Sequence, residues 1–219
     1  MTPNPSLERD LHRHGTWPAR RSLSSSASRA KRHPGVGPSA QTLGLTRAPR
    51  LPSKPSMSPS EPVNPPADFD FIIGDWQVRH RRLNARLTGC TEWTEFQGTS
   101  STRKILGGFG NVEDNLLCFP QEQVRAAAFR SFDPKSQSWS IWWLDGRAPH
   151  NLDVPVVGTF ADNVGTFYAN DTLEGRPIKV RFTWHVNPGS NPQWEQAFSG
   201  DGGSTWETNW TMEFQRSEA

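Results

Sequence analysis

The sequence predicts an all-β domain, an antiparallel meander of about ten strands closed into a barrel, preceded by a basic tail. Three observations carry this. Apolar and polar residues alternate from Phe69 onward, turn residues interrupt the alternation every 8–15 positions, and the aromatics lie almost wholly in that stretch. Residues 67–219 hold all 12 Phe, the single Tyr and nine of the ten Trp, with 14 Lys/Arg against 19 Asp/Glu. Residues 1–66 hold 10 Lys/Arg against 3 acids, 12 of the 19 prolines and 11 serines.

The elements follow in order. Trp76, Val78 and His80 alternate with Gln77, Arg79 and Arg81, which makes the first strand. A second runs from about Thr91 to Ile105 and ends at Gly107-Gly108. Asn111–Phe119 and Val124–Phe132 are the next pair, parted by Pro120. Asp133-Pro134-Lys135-Ser136 turns the chain into Trp139–Leu144. Gly158–Phe160 and Thr166–Ala169 flank the turn Asp162-Asn163-Val164-Gly165. Glu174-Gly175-Arg176-Pro177 leads into Ile178, Val180, Phe182 and Trp184, alternating with Lys179, Arg181, Thr183 and His185. Trp194–Phe198 and Trp206–Phe214 complete the count. No helical period lasts beyond a turn or two. Closure into a barrel removes the unpaired edges that ten such strands would otherwise expose.

Residues 1–66 have too little apolar content to offset the entropy of ordering, and disorder is the expectation. The tail lacks the apolar run of roughly 7–15 residues that marks a secretory signal. It is Arg- and Ser-rich like a mitochondrial presequence, but Pro18, Pro34 and Pro38 break the helix such a sequence needs. Its scattered charges carry no interleaved aromatics, so a nucleic-acid partner is not expected. The stretch from Asn4 to Arg9 through Ser24 to Arg29 resembles conceptual translations of intergenic repeats in bacterial genomes. Met57 is therefore the expected natural start, and the 56 residues before it a start-site artefact. No stretch reaches the ~20 apolar residues of a membrane-spanning helix, and no membrane partner is expected. Cys90 and Cys118 fit no zinc spacing and read as free thiols of a reducing, cytoplasmic compartment.

Two motifs add family information. Phe71-Ile72-Ile73-Gly74-Asp75-Trp76-Gln77-Val78 resembles the Gly-x-Trp entry of lipocalin and wider calycin barrels. In those families the glycine lets the chain bend into strand one and the tryptophan closes the barrel floor. The span 68–216 is similar to a bacterial family of calycin-like proteins, with a strand count nearer fatty-acid-binding proteins and nitrobindin than eight-stranded lipocalins. The haem-coordinating pattern of nitrobindin does not map onto these residues, so no cofactor is implied. Ser199-Gly200-Asp201-Gly202-Gly203-Ser204-Thr205-Trp206 fits the Asp-box pattern Ser-x-Asp-x-Gly-x-Thr-Trp at every fixed position. That motif is a β-hairpin; one copy in a chain this short implies the hairpin, not a sialidase propeller.

Candidate site residues follow from phase, because a polar residue on a strand's apolar face points inward. His80 is in phase with Trp76 and Val78, Arg130 with Val124, Ala126 and Ala128, and Asp145 with Trp139, Ile141 and Trp143. Gln196 stands between Trp194 and Phe198, and Thr208 between Trp206 and Trp210. Buried charges must pair with each other or with a bound polar group. The expectation is a barrel binding a small, largely apolar or aromatic molecule. Trp143, Trp184 and Trp210 would form walls; Arg130, Asp145, His80 and Gln196 would orient the ligand. The alternative is a small cyclase, isomerase or lyase with Asp145 and His80 as acid and base. Glu113 and Asn115 share a strand face and could cooperate. His150 and Asp153 are too few for a metal site. No nucleophile elbow, P-loop or dinucleotide fingerprint is present.

The tail reading makes a first prediction. Removing residues 1–56 takes away ten Lys/Arg and two acids, so the net charge moves from +2 to −6. The melting temperatures of chains 1–219 and 57–219 should agree within a few degrees. A larger loss on truncation would show that the tail packs on the domain.

Overall fold

The computed structural model describes residues 64–217 apart from residue 187. The tail expectations for residues 1–56, and for 1–66 as far as residue 63, lie outside the described residues. A 3-10 turn, Asp70–Ile72, leads into ten strands: β1 (Gly74–Leu83), β2 (Trp93–Ile105), β3 (Gly110–Cys118), β4 (Gln123–Asp133) and β5 (Ser138–Asp145). Then come β6 (Val156–Ala161), β7 (Val164–Leu173), β8 (Arg176–His185), β9 (Gln193–Ser199) and β10 (Glu207–Arg216). Every strand pairs antiparallel with its sequence neighbours, and β1 pairs with β10, which closes the barrel. The fold is the all-β meander that the alternation predicts.

Turn chemistry sets the register. Asp162 and Asn163, at φ 50° and 64°, make the left-handed two-residue turn between β6 and β7. Glu174 and Gly175, at φ 50° and 78°, do the same between β7 and β8. The Asp-box hairpin joins β9 to β10. The Asp201 carboxylate accepts hydrogen bonds from the backbone amides of Ser204 and Thr205 and from the hydroxyls of Ser199 and Thr205. Those donors hold its pKa well below the usual carboxylate range, the Thr205 amide most of all. Beneath it, the Trp206 indole donates to Gly203 O at 3.1 Å. The shortest seam is β5–β6, with three ladder pairs from Trp139–Gly158 to Ile141–Val156; the loop 146–155 leaves above it.

One end of the barrel is closed by aromatic rings. Phe69 meets Trp139 and Phe160 edge-on, both at 4.9 Å between centroids, and lies stacked at 6.0 Å on Phe167. Beside this plug the Trp76 indole donates to Ile72 O at 2.7 Å, and the Arg216 guanidinium lies 3.9 Å above its ring. Arg216 also donates to Ile73 O at 2.6 Å. Gly74 stands between them at φ +116°, and a side chain there would run into Arg216.

Gly98 on β2 supplies space of another kind. A Cβ at this position would stand 2.6 Å from Leu116 O and 2.7 Å from His80 Nε2. The missing side chain lets the His80 ring lie flat against Phe96, at 4.6 Å and 5° between planes. Gly98→Ala should therefore destabilise the domain by about 1–3 kcal/mol, as overpacking of a filled interior does. Urea denaturation measures it, and an unchanged midpoint would refute this account of the wall.

Candidate functional site

The inward faces of the strands enclose a lumen that opens at the end opposite the plug. It leaves about 120 Å³ in which the centres of water-sized groups can move. An enclosed apolar cavity of about 150 Å³ takes up benzene, so the lumen holds about one aromatic ring within its walls. Its walls are chiefly aromatic. Trp210 stands edge-on to Trp143 at 6.0 Å and to Trp194 at 5.8 Å, while Trp184 reaches the lumen just above the plug.

Polar side chains enter at two depths. The deep group is Arg130 on β4 with Asn111 and Glu113 on β3, all buried. The ladder sets Arg130 against Asn111 and Glu113 against Ala128, so one guanidinium spans both β3 side chains. It donates to Asn111 Oδ1 at 2.8 Å and forms a close ion pair with Glu113. Its carbon lies 5.1 Å from the Phe69 centroid and 5.5 Å from that of Trp184, a cation resting on the plug. Asn115 Nδ2, one step up β3, is buried with no hydrogen-bond partner in the protein.

The second group is at the mouth. Arg147, just beyond β5, donates through Nε and Nη2 to the two Asp145 oxygens at 3.0 and 2.6 Å, and through Nη1 to Glu122 at 3.1 Å. Hydrogen bonding to Asp145 is the main reason that the Arg147 pKa is raised. Arg82, at the end of β1, points in beside these residues. Its guanidinium carbon lies 4.9 Å from the Trp210 ring and 5.9 Å from Phe119.

Six of the eight residues selected from the sequence line the lumen: Trp143, Trp184, Trp210, Arg130, Asp145 and Gln196. His80 does not. It stands behind Trp210, whose indole donates to His80 Nδ1 at 3.3 Å. That bond leaves the ring proton on Nε2. The charged residues are not brought together: Arg130 pairs with Glu113 near the floor, Asp145 with Arg147 at the mouth, and His80 makes no ion pair with Asp145. Gln196 gives its amide N–H to Asn209 at 2.7 Å. Asn209 is the extra residue of a β-bulge between Thr208 and Trp210. The bulge corrects the reading of Thr208. This residue pairs with Ala197, between the lumen-facing Gln196 and Phe198, and so faces outward.

Phase reasoning passed over Arg82, although it continues the series Trp76, Val78, His80. It also treated Glu113 apart from Arg130, because pairing across β3 and β4 requires a register that alternation alone does not supply. Among the described residues, no group of three or more His, Cys, Asp or Glu is placed to hold a metal ion, and no helix is long and apolar enough to cross a membrane. Neither a scan against protein-family models nor a search of curated proteins found a match to this chain.

His80 gives the wall a pH dependence. Burial first, and the Arg82 charge second, push its pKa from 6.5 down to about 3. The unfolded chain then binds a proton below pH 6.5 that the folded chain refuses. Stability is unaffected above that pH and falls as the pH drops toward 3, by about 1.4 kcal/mol per unit. Between pH 6.5 and 5 this amounts to roughly 2 kcal/mol. His80→Gln retains an acceptor for Trp210 but no titrating group, and should lack that component. Urea unfolding of both proteins across this range measures it, and parallel pH profiles would contradict it.

Proposed function

We propose that the barrel binds a small, largely apolar or aromatic molecule in its lumen, in the manner of the calycin barrels. The observation that carries the reading is an open lumen walled by Trp143, Trp184, Trp194 and Trp210, with its polar side chains gathered in a deep group and a group at the mouth. This is the usual make-up of a small-molecule pocket. The volume suits a molecule of one ring, or of two where part of it projects through the mouth; haem and long-chain fatty acids exceed it. Kinship with the calycins is supported by Gly74 and Trp76 at the head of β1, with the tryptophan packed at the closed end. Cytoplasmic residence is supported by the unpaired state of Cys90 and Cys118. The partner in this reading is neither nucleic acid nor membrane. The enzyme alternative would need Asp145 and His80 to share a proton, and no observation favours it while Arg147 holds one and Trp210 screens the other.

A panel of two-ring aromatics, flavonoids, fatty acids and haem, read by quenching of tryptophan fluorescence, tests the proposal. The two-ring compounds should give saturable quenching. Ala128→Leu, which puts three carbons into the lumen beside Trp143, should weaken them at least tenfold. If no compound binds, or the variant binds as the wild type does, the lumen is not the site.

A further inference from the structure

The two guanidinium groups that enter the lumen by their own strands are treated differently by the fold. Arg130 has an ion pair and a hydrogen bond. Arg82 has neither: among the described residues no carboxylate lies within ion-pairing distance and no acceptor meets its donors, and its Nε, like that of Arg130, is buried without a partner. The carboxylate nearest in function, Asp145, uses both oxygens on Arg147, and Glu122 adds a further bond to the same residue. The other acids lining the mouth, Asp153 and Asp171, come from the loop after β5 and from β7. At the mouth these acids are matched by Arg82, Arg86 and Arg147, and among them Arg82 makes no ion pair. Burial, then Arg86 and then Arg147 press its pKa down to about 9, with Asp145 opposing. At neutral pH it is still a cation.

A half-buried cation with no hydrogen-bonded counter-charge bears a desolvation cost, and an incoming anion relieves that cost. The Trp210 and Phe119 rings flank it, and a planar guanidinium matches a carboxylate through two parallel hydrogen bonds. A dianion would meet Asp145 and Glu122 in the same cluster, so a single negative charge fits best.

We propose that the molecule bound in the lumen is a small aromatic carboxylate, its rings among Trp143, Trp194 and Trp210 and its carboxylate paired with Arg82 at the mouth. The inference rests on the reading of the lumen as an aromatic-binding site and adds the charge of the ligand and the residue that selects it.

The test compares 2-naphthoate with its uncharged amide, 2-naphthamide, by calorimetric titration of the full chain at pH 7.5. The wild type should bind the acid at least tenfold more tightly than the amide, and added salt should narrow that gap. Arg82→Gln should weaken the acid at least tenfold and leave the amide within about threefold. Arg82→Lys retains the charge but not the fork, and should fall between. Equal binding of acid and amide by the wild type would overturn the role of Arg82 while leaving the lumen as an aromatic site. Equal loss of both compounds in Arg82→Gln would overturn it also. Binding of neither compound by the wild type would overturn both the site and its charge preference. The wild-type comparison needs no variant, so a failure of Arg82→Gln to fold does not obscure the result.

Discussion

The open lumen depends on one packing arrangement, the edge-to-face seating of Phe69 among Trp139, Phe160 and Trp184. Phe69 belongs to no strand. The chain brings it in just before the 3-10 turn and delivers it across the barrel end lined by β5 to β8, opposite the mouth. Edge-to-face rings are worth about 0.5–1.5 kcal/mol per pair beyond the area they bury, and several such pairs share this residue. Because one end is sealed by rings, unfilled space can persist only toward the other. The direction of ligand entry is thus decided at the closed end.

The two arginines show how the same side chain takes opposite roles along one axis. Arg130 lies against the plug, where water is excluded, and the fold supplies a carboxylate, an amide oxygen and two ring faces to hold it. Removing either charge there would strand the other, at a cost of about 3–5 kcal/mol for buried pairs. Arg82 lies near the mouth, where aromatic faces are its only described partners. The first arrangement is structural, an ion pair supplied within the fold, although the Arg130 Nε stays buried without a partner. The second is left to be completed by something that is not part of the protein.

The fold was legible in the sequence because alternation, turn chemistry and aromatic content agree over the same residues. The turns at 162–165 and 174–177 and the Asp-box hairpin could be placed from residue type. Both turns are tighter than that reading, confined to Asp162-Asn163 and Glu174-Gly175, with the following two residues already in β7 and β8. Lumen-facing residues were legible as far as phase extends, which is why Arg130, Asp145, Gln196 and the three walls Trp143, Trp184 and Trp210 were found. Phase fails where register changes. The bulge at Asn209 turned Thr208 outward, and nothing in the alternation of β10 marks it. Nor does phase tell depth: His80 shares the inward face of β1, yet Trp210 covers it. Pairing was the least legible feature, since Glu113 meets Arg130 through a β3–β4 register, and Arg147 reaches Asp145 from a loop. The volume left open is a difference between enclosed space and side-chain volume, which no single residue reveals.

The most direct test of the account is whether that volume exists and where. Crystals of the protein pressurised with xenon report apolar space without any assumption about ligand chemistry. The account predicts a xenon site within the lumen, bounded by Trp143, Trp194 and Trp210 on the mouth side of Arg130. Absence of xenon from the lumen, or a site beneath Phe69 at the sealed end, would contradict it.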